Sequence, residues 1–242
     1  MTAIEAVTFD YWNTLVFEER GHLRGRRMEA WAGILEDAGF AIERQQLDAV
    51  FDASWERYQA AWTANEQFSA VQGAEDAMER LGFDLPADVR DTLLEAFGRA
   101  GDDAELHLTE NIEDCLHTLK DAGVRLGIIC DVGFTGSSVL REHLIRRGLL
   151  PLFDHWSFSD EVGAYKPSPV IFEHALEGLG GPDPERVAHV GDLRRTDVAG
   201  ALGMGMTAVR YTGVFDDDSA DIPEGDHVVA DHAELPAVLG FA

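Results

Sequence analysis

From about residue 110 to the end of the chain, short apolar runs alternate with longer amphipathic segments, and this alternation limits the fold more than any other feature. Parallel strands cannot be joined by a tight turn, so each needs a crossover, usually a helix. The runs lie at 124–129, 155–158, 187–190, 206–211 and 227–229, with an earlier one at 6–9. Helical spacing covers roughly 110–122, 137–148, 168–179 and 197–203 between them. The expected class is α/β, a parallel sheet covered by helices.

Between residues 20 and 100 the pattern changes. Segments 20–39, 43–64, 73–82 and 86–100 carry apolar positions at three- and four-residue spacing with no strand-like run among them. Trp31, Ile34, Leu35 and Ala38 form one stripe, and Phe51, Trp55, Tyr58 and Trp62 another. Such stripes are expected to be the core of a separate all-helical insertion rather than a cofactor box.

The 242 residues carry 19 Lys+Arg against 45 Asp+Glu, a net charge of −26. That field repels nucleic acid and anionic lipid, so neither is an expected partner. A small-molecule substrate is, and an anionic one needs local cations. The only lysines are Lys120 and Lys166. Cys115 and Cys130 provide neither a disulfide framework nor a thiolate zinc cluster. The opening Met1–Val7 stretch lacks a basic, apolar leader, and no run of transmembrane length occurs, so a soluble, cytoplasmic protein is expected. Nothing in the sequence sets the oligomeric state; monomer and homodimer both remain open. The acidic stretch 216–221 is expected to be solvated surface, as are the arginine clusters at 20–27 and 194–195.

Ligands of open α/β sheets bind beyond the carboxyl ends of the strands, where strand order reverses. The residues at those ends are Asp10, Cys130-Asp131, Lys166 and Gly191-Asp192, with Asp197 one turn further on. Taken singly they have plain explanations: a turn cap, a solvent-facing lysine, a turn glycine. Three carboxylates and one of two lysines at successive strand ends is more than packing requires. Paired carboxylates chelate a hard cation such as Mg²⁺, and a lysine beside them holds a phosphate or steadies a charged nucleophile. His189 is expected to be a satisfied core histidine, and Thr135, Ser137 and Ser138 to cap the following helix.

Four segments resemble the haloacid dehalogenase (HAD) superfamily. They are Phe9-Asp10-Tyr11-Trp12-Asn13-Thr14-Leu15-Val16; Leu126-Gly127-Ile128-Ile129-Cys130-Asp131; Phe158-Ser159-Asp160-Glu161-Val162-Gly163-Ala164-Tyr165-Lys166-Pro167; and His189-Val190-Gly191-Asp192-Leu193-Arg194-Arg195-Thr196-Asp197-Val198-Ala199-Gly200-Ala201. The resemblance implies a Rossmann-like core made of residues 1–16 and 106–242, with 17–105 inserted as a mobile helical cap. It implies that Asp10 is a nucleophile forming a covalent aspartyl intermediate and that Lys166 steadies it. Mg²⁺ would be held by Asp10, the backbone carbonyl of Trp12 and Asp192, with Asp197 as a further ligand or as the residue orienting Lys166 or a metal-bound water. Cys130 joins Asp10 and Lys166 as a catalytic candidate, and Trp12, Asn13 and Asp131 are candidate substrate contacts.

Three positions depart from the family's phosphatases. Trp12 stands where a second Asp usually acts as general acid and base, and an indole exchanges no proton at working pH. Cys130 replaces the Ser or Thr that binds the transferred group; it reads either as a small core residue or as a low-pKa thiol. Asp131 replaces a common neutral amide. The leading expectation is therefore a Mg²⁺-dependent phosphatase of small phosphorylated metabolites. The alternatives are a 2-haloacid dehalogenase, which an aromatic Trp12 suits, and a catalytically weak or silent binding protein.

Overall fold

The strands are β1 (Ala6–Phe9), β2 (Val16–Glu18), β3 (Leu106–Leu108), β4 (Arg125–Cys130), β5 (His155–Phe158), β6 (Val187–Gly191), β7 (Thr207–Tyr211) and β8 (His227–Val229). The first helices are α1 (His22–Asp37), α2 (Arg44–Thr63), α3 (Ala70–Leu81), α4 (Ala87–Arg99) and α5 (Ile112–Asp121). They are followed by α6 (Ser137–Arg146), α7 (Ser159–Val162), α8 (Pro169–Gly178), α9 (Ala199–Gly203) and α10 (Leu235–Val238). The computed structural model describes residues 3–102 and 104–241; Met1 and Thr2 of the opening stretch, Asp103 and Ala242 lie outside the described residues.

Six strands form one parallel sheet in the order β5-β4-β1-β6-β7-β8. The chain builds outward from β1 through β4 and β5 on one side and through β6, β7 and β8 on the other, so β1 marks the reversal of strand order. Phe9 lies level with Ile128 of β4 and Val190 of β6, which brings three strand tips together. All residues of β1 and β6 are buried, which is why they read as largely apolar runs, with Thr8 and His189 as the polar exceptions. Ile171, Phe172 and Ala175 of α8 pack with Ala201 of α9 against Ala6, Ile129, Val187 and Ala208. Each such buried side chain contributes about 1.5–3 kcal/mol for aliphatics and aromatics. Close approach of α9 depends on Gly200, where a Cβ would meet the Phe172 ring at 2.3 Å.

The sequence reading did not anticipate β2 and β3, which pair as a separate two-stranded sheet. Three-residue strands carry too little periodicity to register, and their pairing is long-range. The expected helix at 197–203 opens instead as a π-turn, Arg194–Val198, before α9.

The chain divides into two compact units: residues up to Phe17, Leu106–Asp131 and Leu144 onward form the first, and Glu18–Glu105 with Val132–His143 the second. Val132–His143 thus belongs with the helical unit, although it lies within the stretch expected for the core. Phe134 explains why: its ring meets Phe97 at 5.0 Å and Tyr58 at 5.5 Å.

Within the helical unit Trp31 is fully buried against Phe51 and Phe97, and its Nε1 donates to the Leu93 carbonyl at 3.0 Å. Ser69 and Gln72 form a capping box that starts α3. Leu35, Phe51 and Tyr58 are core as expected, but Ala38 is exposed, Trp62 half-buried and Trp55 43 % exposed. The second stripe therefore splits, with its tryptophans facing outward.

One surface expectation fails in part: Arg194 is buried, as is Arg210 of β7, whereas the acidic stretch 216–221 is exposed as expected except at Asp217. Asp217 accepts from the Arg194 backbone N–H at 2.7 Å, Asp216 from Arg210 Nη1, and Glu224 from Arg194 Nη2 at 2.9 Å. Asp216 and Glu224 are thus counter-ions of two buried guanidiniums. No helix among the described residues is long and apolar enough to cross a membrane.

Candidate active site

Asp10 directly follows β1, and its backbone N–H still donates to Val190 at 2.8 Å, so the strand geometry carries through to the residue. Lys166 arrives from the loop after α7. Its backbone N–H donates to Asp131 Oδ1 at 2.8 Å, so the carboxylate at the end of β4 ties down the lysine-bearing loop. The Lys166 side chain is 2 % exposed, and its Nζ lies 2.5 Å from Asp10 Oδ1 and 2.6 Å from Asp197 Oδ1.

Both oxygens of Asp197 are committed. Oδ1 meets Lys166 and, at 3.1 Å, His189 Nε2; Oδ2 accepts from Leu193 N at 3.0 Å and Thr196 Oγ1 at 3.2 Å. A carboxylate only accepts, so His189 Nε2 carries the hydrogen. Burial lowers the pKa of His189, and the neutral ring's Nδ1 accepts from Thr8 Oγ1 at 2.9 Å. His189 is the satisfied core histidine expected, and it also reaches the site through Asp197. Gly191 makes this packing possible: a Cβ there would lie 2.2 Å from Asp197 Cγ.

Asp192 follows β6 and is buried, with Oδ2 accepting from Asn13 Nδ2 at 3.1 Å. Asn13 sits at φ 58°, a left-handed conformation that asparagine tolerates better than most residues, and this turns its amide toward Asp192.

Asp10, Asp192 and Asp197 each bring an oxygen within 4.8 Å of the others. One ammonium faces three buried carboxylates. Burial pushes the Asp10 carboxyl up to about 7 against the pull of Lys166, with Asp197 and Asp131 pushing the same way as burial. Asp192 is raised well above the carboxylate range by burial and by the charges of Asp10 and Asp197. Asp197 goes the other way: burial alone would raise it, but Lys166 and His189 hold it below that range. Lys166 is raised well above its ordinary value, its three carboxylate neighbours outweighing burial. The site thus has more carboxyl groups than cations to balance them, with Asp10 Oδ2 and Asp192 Oδ1 left without hydrogen bonds among the described residues. Hard oxygen donors with excess charge fit a divalent cation of the Mg²⁺ type.

Residues 4–205 match the model of the haloacid dehalogenase-like hydrolases. The chain belongs to this family. Among its relatives is a glyceraldehyde 3-phosphate phosphatase of Methanothermobacter thermautotrophicus, 35 % identical over 53 % of this chain and 57 % of that one. An (S)-2-haloacid dehalogenase of Pseudomonas sp. is 29 % identical over 74 % of this chain and 71 % of its own. A solved HAD phosphatase from Thermococcus onnurineus superposes with a TM-score of 0.65 at 26 % identity, covering 98 % of both chains. The chain spans about half the length of the archaeal glyceraldehyde 3-phosphate phosphatases it matches.

For a HAD hydrolase one feature of the first motif and one of the second stand out. The Trp12 ring is half-buried, packed edge-on to Tyr11 at a centroid distance of 5.2 Å, and its indole N–H has no hydrogen-bond partner among the described residues. The Cys130 thiol is fully buried, and burial and Asp10 push its pKa well up. Burial disfavours the thiolate of Cys130, which suits the reading of a small core residue better than that of a low-pKa thiol. Asp131, expected to touch substrate, is engaged by the Lys166 loop. Thr135, expected as a helix cap or donor, accepts from Arg27 Nη2 at 2.8 Å. The sequence reading missed Thr8, Thr196 and the Leu193 N–H, since none carries a charge or motif signal of its own.

Proposed function

We propose that this HAD hydrolase is a divalent-cation-dependent phosphatase of small phosphorylated metabolites, with Asp10 as the nucleophile. The observation that carries the reading is the surplus of three buried carboxylates over one ammonium, since Asp192 has no use in a reaction that needs no cation. Asp10 and Asp192, with the Trp12 carbonyl, would hold Mg²⁺, which when bound offsets the repulsion between the carboxylate and an incoming phosphate. Asp197 is better suited to anchoring Lys166 than to binding metal, because its four hydrogen bonds occupy both oxygens.

Lys166 fixes Asp10 through Oδ1 and leaves Oδ2 for attack. Oδ2 bonds to phosphorus as the bond from phosphorus to the ester oxygen breaks, and the leaving group departs as its anion, which takes any proton it needs from solvent. Water then cleaves the aspartyl phosphate, releasing inorganic phosphate and restoring Asp10. Trp12 supplies no proton to the departing oxygen, so esters of acidic alcohols and acyl phosphates are the substrates that suit this site. The helical unit is assigned the role of cap.

Dehalogenation is the second reading, favoured by the aromatic ring at Trp12. There Asp10 would displace halide from a 2-haloacid and the resulting ester would be hydrolysed. Phosphate esters, acyl phosphates and 2-chloro acids, each assayed with Mg²⁺ and with EDTA, separate the two. Phosphate release that EDTA abolishes supports the first reading; chloride release unaffected by EDTA replaces it with the second. Release of neither would leave a binding protein on a HAD fold.

A further inference from the structure

The helical unit contains a cavity of about 320 Å³ lined in part by Arg27, Arg24, Phe51, Trp55 and Phe134. This volume is at the small end of the range for ligand pockets. Arg27 is 5 % exposed, and all its hydrogen bonds go to neutral acceptors. Nε donates to the Phe97 carbonyl at 3.1 Å, and Nη2 to the Phe134 carbonyl at 2.9 Å and Thr135 Oγ1 at 2.8 Å. The Nη1 amino group makes no hydrogen bond among the described residues, and Arg27 lines the cavity. Burial lowers the guanidinium to about 10, with only Glu18 opposing. A buried cation with no carboxylate partner costs several kcal/mol, and folded chains rarely leave one without a purpose.

The neighbouring charges define what would complete it. Arg24 is already neutralised by Asp48 and Asp52, each at 2.8 Å. Glu18 Oε2 accepts from the Leu23 backbone N–H at 2.7 Å, and Arg20 is exposed at the rim. With Arg24 set aside together with the two aspartates that hold it, the lining keeps Arg20 and Arg27 against one carboxylate, Glu18, an excess of one positive charge. A monoanion balances that charge; a phosphate dianion would overshoot it and meet Glu18. Phe51, Trp55 and Phe134 supply apolar walls, and Trp55, at 43 % exposure, is the tryptophan that the helical core leaves out.

We propose that this cavity binds an organic carboxylate with a compact aromatic or branched apolar body, its carboxylate on Arg27 Nη1. A planar guanidinium suits a carboxylate, and charge-assisted hydrogen bonds away from bulk water are the strong ones. The inference does not rest on the phosphatase reading, because no residue of the strand-tip site takes part.

Calorimetric titration of the full chain, with phenylacetate and its neutral analogue phenylacetamide as probes, tests it. The acid is expected to bind about tenfold or more tighter than the amide, with no competition from inorganic phosphate plus Mg²⁺. Arg27→Met should bring the two probes to similar affinity while leaving the amide unchanged. If that variant does not fold, the acid-to-amide ratio of the unmutated protein still decides. Equal affinities, no binding of either probe, or displacement of phenylacetate by phosphate would each overturn the proposal.

Discussion

A methyl group on Gly191 would sit 2.2 Å from the carboxyl carbon of Asp197. Asp197 in turn shares the Lys166 ammonium with Asp10, so a backbone position on β6 governs the placement of the nucleophile's partner. Gly191→Ala should therefore push Asp197 aside and shift Lys166. Catalysis is expected to fall about 100-fold, since displacements near 1 Å cost that much. Overpacking should lower stability by about 1–3 kcal/mol. Turnover numbers and urea midpoints of the two proteins check both.

Removing one charge at a time should move stability in opposite directions. Lys166→Met leaves three buried carboxylates without a cation, and the EDTA-treated protein should be less stable by about 3–5 kcal/mol. Asp10→Asn removes surplus negative charge, so its melting temperature in EDTA should rise even as activity disappears. Thermal melts of the three proteins test the sign; a lower melting temperature for Asp10→Asn would contradict the charge surplus.

Cation binding should be visible without any substrate. Mg²⁺ at 100 times its dissociation constant should stabilise the protein by about 2.7 kcal/mol, and chelation should reverse this. Asp192→Asn should abolish the effect, whereas His22→Ala, in the helical unit, should not. Melting curves with and without EDTA are sufficient.

Trp12→Asp should restore a proton donor at the departing oxygen. Phosphatase turnover on alkyl phosphates is expected to rise by up to about 10²–10⁴-fold, the range that general acid catalysis supplies. Acyl phosphates, which need no proton, should change little. An equal change for both substrate classes would indicate that the indole acts by shape.

His232 is fully buried, stacked on Tyr211 at 4.1 Å, and its Nε2 donates to the Thr14 carbonyl at 2.8 Å. Burial lowers its pKa from 6.5 to about 4. The unfolded chain takes up this proton first, so stability should fall as pH drops from about 6.5 toward 4, by up to about 3 kcal/mol from this residue. His232→Gln should flatten denaturation midpoints across that window, at some cost at neutral pH.

How much of this was legible without coordinates differs by residue. Asp10, Lys166, Asp192 and Asp197 stand out because chemistry at strand tips needs charge where packing does not, and their order along the chain survives in the sequence. The six strands of the main sheet and the four inserted helices are likewise written in local periodicity. Short-range patterning fixes the type of each element, because side-chain spacing alone decides which face can be buried.

Tertiary structure alone decided which charges find partners. Arg194 resembles a surface residue until Asp217 and Glu224 fold over it, and Arg27 resembles its solvated neighbours until Phe97 and Phe134 enclose it. The Cys130 thiol is pushed up by what buries it, and Asp131 holds the Lys166 loop because a segment 35 residues away returns to it. The three-residue strands β2 and β3 exist only as a pair. Burial and pairing depend on neighbours distant in the chain, and no local spacing encodes those.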